Sequence, residues 1–213
     1  MRARFAAVAF AAALALGAGQ PRFEAPAPGS YELPPIQQVR EHVVLDEAGR
    51  EAPLLALGAG EAALVSFVFL SCAGACPAAT AVLARVDAAL AQRPALAGRV
   101  QLVTMSFDPA RDPPARMAAL RDSLAPRGRW RFATAVSDAA IAPVLADFGQ
   151  DPGAAHVLKI FLVDGERRVR NIYSTGFLDE RLLLADLETV LGDAVNGPPA
   201  APPAPRASAA SPP

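Results

Sequence analysis

The spacing of apolar residues along this chain changes several times, and each change predicts an element. Val43, Val44 and Leu45, the turn residues Asp46 and Gly49, and then Leu54, Leu55 and Leu57 predict a short hairpin. Residues 63 to 70 form an almost unbroken apolar run of strand length, as a central strand buried on both faces requires. Pro77 is placed to open a helix, where its missing N–H costs nothing, and Val82, Leu83, Val86 and Leu90 then share one helical face. A strand is predicted over residues 100 to 107, and a helix from Pro113 with Asp112 as its cap. Residues 131 to 136 read as a strand and 139 to 148 as a helix. Two further strands, 156 to 163 and 168 to 173, meet at the hairpin signal Asp164-Gly165. Asp179 caps a last helix that turns Leu182, Leu183, Leu187, Val190 and Leu191 inward.

Strands alternating with helices, closed by a hairpin and a helix, specify an α/β sandwich on a mixed sheet. The order fits a thioredoxin-like fold: a central mixed sheet flanked by helices, with an N-terminal hairpin. The two ends of the chain read differently. Met1-Arg2-Ala3-Arg4 precedes an apolar run from Phe5 to Ala18 that closes on small residues, so residues 1–19 are an export signal or a short membrane anchor. The run is shorter than the about 20 apolar residues of a comfortable span, which favours cleavage. No cysteine lies near its end to carry a lipid. Residues 20–38 are proline-rich and read as a tether, and residues 39–192 form the folded domain. Residues 193–213 are almost entirely Pro, Ala, Gly and Ser, which bury too little apolar surface to offset the entropy of ordering; they read as a disordered tail.

Composition narrows the function. With 213 residues and 53% apolar content, the chain has enough material for one domain with a sizeable core. Its 20 basic and 21 acidic residues leave a net charge of −1 with no long run of one sign. That pattern offers no electrostatic footprint for nucleic acid, and this class of partner is excluded. Export would place the domain in an oxidising compartment, where two cysteines pair unless something reduces them.

The candidate chemistry lies in SCAGACP, which holds both cysteines of the chain, Cys72 and Cys76, between the most buried strand and the first helix. A helix N-terminus favours thiolate over thiol. One helical turn between the cysteines, about 6 Å of rise, brings their Cα atoms within disulfide reach. The pair is therefore a dithiol, a disulfide or a clamp on one soft ion. A purely structural disulfide closing so short a loop stabilises little, and the residue added relative to C-x-x-C widens the bite toward a metal. His156, one of two histidines, opens a predicted strand in AAHVLKIFLV. In a sheet of this topology that strand runs beside the first buried strand, so its beginning faces the cysteine loop. Two thiolates and an imidazole suit copper, the thiolates selecting Cu(I) and the histidine admitting Cu(II); zinc wants a fourth ligand. A thiol–disulfide oxidoreductase, in which Cys72 attacks and Cys76 resolves, is the alternative that needs the dithiol but not His156. His42, beside Glu41, reads as a solvated surface residue, and Met105 and Met117 as core. Asp108 and Asp112 are a candidate acid pair, although a capping role explains Asp112 better. There is no Gly-rich phosphate loop and no serine–histidine signature.

The segments FVFLSCAGACP, TMSFDPARDPP and AAHVLKIFLVDGERRV resemble, in order and spacing, the Sco/SenC family of copper proteins of cytochrome c oxidase assembly. The resemblance spans about residues 39 to 191. It implies that Cys72, Cys76 and His156 bind copper, as Cu(I), Cu(II) or both, and that Asp108-Pro109-Ala110-Arg111-Asp112 has a structural or outer-sphere role. It implies a metallochaperone rather than an enzyme, which hands copper or electrons to the copper-bearing Cu(A) subunit of an oxidase and draws on a thiol reductant. It also implies a bacterial periplasmic location, with anchoring to the inner membrane through the N-terminus as the second arrangement. A copper or redox sensor is the remaining alternative. Two departures stand out: Ala73-Gly74-Ala75 lies where the family often carries an acidic residue, and Leu70-Ser71 where it carries Thr or His. Thioredoxin-like thiol enzymes usually place a cis-proline where Ala155-His156 stands.

Overall fold

The computed structural model describes residues 24–71, 75–150, 159–174 and 178–196. The segments outside these include the export run, the tail beyond residue 196, Cys72 and His156. Eight strands build one sheet: β1 (Gln37–Gln38), β2 (Val43–Asp46), β3 (Glu51–Pro53), β4 (Ala62–Val68), β5 (Val100–Ser106), β6 (Trp130–Thr134), β7 (Lys159–Asp164) and β8 (Arg168–Ser174). Their spatial order is β1-β8-β7-β4-β5-β6-β2-β3. β4, β5 and β6 run parallel, and β7 returns antiparallel against β4. The helices are α1 (Ala75–Ala91), α2 (Pro94–Ala97), α3 (Pro114–Leu124), α4 (Asp138–Asp147) and α5 (Glu180–Asn196). This is the thioredoxin-like α/β architecture that the element order predicts, with the hairpin β2–β3 added at one edge.

The central position of β4 explains its almost unbroken apolar run, since all seven of its residues are buried. Ala62, Leu64 and Val68 join one core with α1, α5 and Met117 of α3. Ala63, Val65 and Phe67 join the other, against Ile141, Val144 and Leu145 of α4. Strict alternation on a strand sends neighbours to opposite faces, so a strand covered on both faces is apolar at nearly every position. Its one hydroxyl, Ser66, lies 3.3 Å from the Thr104 hydroxyl, which also accepts the Trp130 indole N–H at 2.9 Å. On the second face Phe67, Phe148 and Phe161 meet edge to face, with centroids 5.0 to 6.1 Å apart.

Several local expectations are met with shifts that have physical causes. Helix α1 starts two residues before Pro77, which still falls in the first turn, where N–H groups have no intrahelical partner. In the hairpin, Gly49 takes φ 77°, a left-handed conformation that favours glycine, and Asp46 accepts the backbone N–H groups of Ala48 and Arg50. The second hairpin strand ends at Pro53, before the predicted leucines, and Leu54 and Leu55 are buried just beyond it. Asp179 caps α5 as expected, its carboxylate accepting the Arg181 N–H at 2.9 Å. Asp112 does not cap α3: the capping position is Pro113, which makes no side-chain bond. Proline at the first turn supplies the right φ by itself, leaving the aspartate free for another partner.

Part of the stretch read as a tether is held on the domain. Gly29 N–H donates to the Thr189 hydroxyl at 2.9 Å, and the Tyr31 hydroxyl donates to Asp186. Burial, reinforced by that carboxylate, pushes the Tyr31 phenol up to about 12. Among the described residues no helix is long and apolar enough to cross a membrane.

Candidate functional site

β4 runs out at Val68, and the chain passes through Phe69, Leu70 and Ser71 into the cysteine loop. On the far side of that loop α1 begins at Ala75, with the backbone of Cys76 in its first turn. That turn carries no acidic residue, and the unpaired N–H groups of a helix start favour thiolate at a cysteine there. Cys72, the side chain of Cys76 and His156 lie outside the described residues. The sheet nonetheless relates the segments that carry them. Ser66 of β4 pairs with Ile160 of β7, so Lys159 stands at the end of the sheet where β4 finishes. His156 is three positions upstream of Lys159 in the chain. Among the described residues no three His, Cys, Asp or Glu side chains cluster as metal ligands would. The candidate ligands remain the two cysteines and His156.

Beneath the exit of β4 lies Asp112, which is fully buried. Its Oδ2 accepts the Leu70 N–H at 2.8 Å and the Ser106 hydroxyl at 2.8 Å. Its Oδ1 lies 3.2 Å from the Arg116 guanidinium, close enough for charge balance but without hydrogen-bond geometry. The Asp112 N–H donates to the Asp108 carbonyl at 2.9 Å, and the Asp108 carboxylate pairs with Arg111 at 2.8 Å on the surface. Asp108 and Asp112 are therefore not an acid pair: one, partly buried, pairs with an exposed arginine, and the other is a buried acceptor for backbone. Sequence reasoning missed this role because Leu70 precedes Asp112 by 42 residues.

An apolar hollow of about 320 Å³ flanks the loop on the side of α1 and α3, lined by Phe69, Leu70, Pro77, Ala81, Leu120 and Leu124 among others. Phe69 also meets Phe107 edge to face at 5.1 Å. Both shoulders of the cysteine loop, Leu70 and Pro77, thus border apolar surface.

His42 is not a solvated surface residue. Its side chain is only 10% exposed, and its Nε2 lies 2.8 Å from Asp147 at the end of α4. Asp147 also accepts the backbone N–H of Arg40 at 3.0 Å and pairs with its guanidinium at 2.7 Å. The Arg40 guanidinium holds the Asp147 carboxyl well below the usual carboxylate range. Arg40 follows β1, which pairs with Arg168 at the end of the sheet away from Lys159. The cluster therefore ties the N-terminal strands to α4.

Residues 40–192 match the family described as SCO1/SenC. The chain belongs to the SCO1/SenC family. Among solved structures it is similar to BsSco, a member of the Sco family of cytochrome c oxidase assembly proteins, with 21% identity and a TM-score of 0.65 over 76% of this chain and 98% of that one. A SCO1/SenC family lipoprotein from Bacillus anthracis str. Ames gives 21% identity and a TM-score of 0.64, covering 75% of this chain and 99% of that one. Yeast Sco1, solved with copper bound, gives 18% and 0.60, over 77% and 95% of the two chains. At such identities the likeness shows the fold, and it agrees with the thioredoxin-like sheet of this SCO1/SenC domain. No curated protein matches the chain by sequence.

Proposed function

We propose that this protein is an exported copper-binding metallochaperone of cytochrome c oxidase assembly, which holds copper with Cys72, Cys76 and His156. The observation that carries the reading is the match to SCO1/SenC across residues 40–192, which includes the cysteine loop and the segment before β7. The register of β4 and β7 supports it, because β7 starts at the end of the sheet where β4 finishes, and in the chain the cysteines follow β4 and His156 precedes β7. The donor set fits the ion: two thiolates and one imidazole are soft and nitrogen donors of the kind that copper selects. Yeast Sco1 is a relative solved with copper, and BsSco belongs to a family of oxidase assembly proteins. The partner in this reading is the copper-bearing oxidase subunit, and the location is the periplasm, with the N-terminus as export signal or inner-membrane anchor.

BsSco is also described by a disulfide switch, which favours a second reading of the same pair. In it, the Cys72–Cys76 dithiol is oxidised to a disulfide while a partner disulfide is reduced to two thiols, with two electrons and two protons passing between them. His156 separates the two readings. The reduced chain should retain one Cu(I) after dialysis, and His156→Ala should lose Cu(II)–thiolate absorption while exchanging with a small disulfide at an unchanged rate. Less than half an equivalent of copper on confirmed dithiol overturns the metal reading, and exchange lost with copper intact favours the oxidoreductase.

A further inference from the structure

Cys72 and Cys76 can share one ion only if the loop between them keeps a fixed bite, and one described side chain governs where that loop leaves the sheet. β4 and β5 pair residue by residue as far as Val68 and Ser106, and the Phe107 N–H still donates to the Val68 carbonyl at 3.0 Å. The chain after β5 then turns at Asp108-Pro109, so among the described residues β5 does not continue beside the outgoing ones. The Leu70 N–H is met instead by Asp112 Oδ2 at 2.8 Å. On the β5 side a carboxylate thus takes the place of a strand at Leu70, two residues before Cys72.

The carboxylate is itself held in place. Ser106 donates to the same oxygen, the Arg116 guanidinium stands 3.2 Å from the other, and the side chain has no exposed surface. A buried carboxylate keeps its charge only with such partners, and a charged acceptor binds an N–H more strongly than the neutral carbonyl it replaces. The anchor therefore restrains the chain at Leu70, two residues before Cys72.

We propose that Asp112 is a positioning residue of the Cys72–Cys76 loop, setting the geometry of the dithiol through the Leu70 backbone without touching the metal. This rests on the reading of the two cysteines as copper ligands. A carboxylate of the same kind elsewhere supplies the control: Asp87, 5% exposed, accepts the N–H groups of Arg127 and Gly128 at 2.7 and 2.9 Å, far from the cysteine loop.

The test uses the full chain carrying Asp112→Ala, Asp112→Asn or Asp87→Ala, with two readouts. One is copper affinity together with Cu(II)–thiolate absorption; the other is the alkylation rate of the reduced, metal-free cysteines by iodoacetamide. Asp112→Ala should lose about tenfold or more in copper affinity, the scale on which residues behind metal ligands act, and should shift both the absorption and the alkylation rate. Asp112→Asn, whose amide oxygen still accepts the Leu70 N–H, should restore most of both. Asp87→Ala should lower stability and move neither. Folded Asp112→Ala with wild-type absorption and alkylation overturns the proposal, as does Asp112→Asn as impaired as the alanine variant, or an equal shift in Asp87→Ala. Should Asp112→Ala not fold, Asp112→Glu carries the test: it keeps the charge but displaces the acceptor by one methylene, so a wild-type spectrum from it overturns the proposal. If the wild-type chain binds no copper, the metal reading fails, while the alkylation rates still decide whether Asp112 positions the loop.

Discussion

Asp87 and Asp112 are both buried carboxylates that hold backbone N–H groups, yet they stand at opposite ends of the sheet and anchor different kinds of chain. Asp87, on α1, spends both oxygens on the stretch between α3 and β6, one on Arg127 and one on Gly128. Gly128 permits that approach, since a Cβ there would lie 3.1 Å from the carboxylate. β6 then starts beside Leu102, near the beginning of β5. Asp112 holds its chain beyond the other end, where β4 has finished, and gives Leu70 and Ser106 a single oxygen. One device closes a connection between two elements; the other restrains a segment that runs on into the cysteine pair. The difference teaches that a shared anchoring chemistry takes its meaning from what the anchored chain does next.

That contrast can be broken by stability measurements. Asp87→Ala should cost about 1–3 kcal/mol, the penalty for leaving buried backbone donors unmet, read as a lower denaturant midpoint at an unchanged slope. A variant as stable as wild type would remove Asp87 as a structural anchor and with it the control.

A smaller effect is expected at the third anchor, Asp147, which ties Arg40 and His42 to α4. Its folded-state carboxyl lies below the ordinary range, chiefly through Arg40, so its contribution is present above the unfolded value of about 3.9 and is lost as pH falls through the lower folded value. Asp147→Asn should therefore be less stable than wild type at neutral pH, and the gap should close in acid, below about pH 4. A gap that stays constant down to acid unfolding would show that the charge is irrelevant. Copper affinity should not change, because this cluster lies at the end of the sheet away from Lys159.

The smallest effect belongs to the Arg85–Glu180 pair between α1 and α5, whose arginine is 56% exposed. Arg85→Ala should change stability by less than about 1 kcal/mol, as solvated pairs do. A larger loss in thermal unfolding would mark that contact as part of the site's scaffold instead.

Much of the architecture was legible in the chain because its signals are local. The run at residues 63 to 70 had to be a two-sided strand, since no half-exposed strand tolerates so many apolar side chains in succession. Asp164-Gly165 marked the β7–β8 turn, and Asp179 the start of α5. The cysteine spacing pointed to the candidate chemistry, and the match to SCO1/SenC agrees with the family that its segments resemble. Less legible were residues whose partners are distant in sequence. Asp112 looked like a helix cap because a proline follows it, and His42 looked solvated because its neighbour is charged.

The sequence by itself determined the order of the elements, the two-faced burial of β4 and the placement of the cysteine pair at the junction of a central strand and a helix start. These follow from side-chain period and turn chemistry, which act over a few residues. Only the tertiary structure decided that Asp112 would answer the Leu70 N–H, 42 residues earlier, and that His42 would meet Asp147, 105 residues later. A buried polar group takes as its partner whichever donor the assembled sheet leaves unpaired beside it. Which donors those are depends on where each strand ends against its neighbour, and that is settled only when the whole sheet has closed.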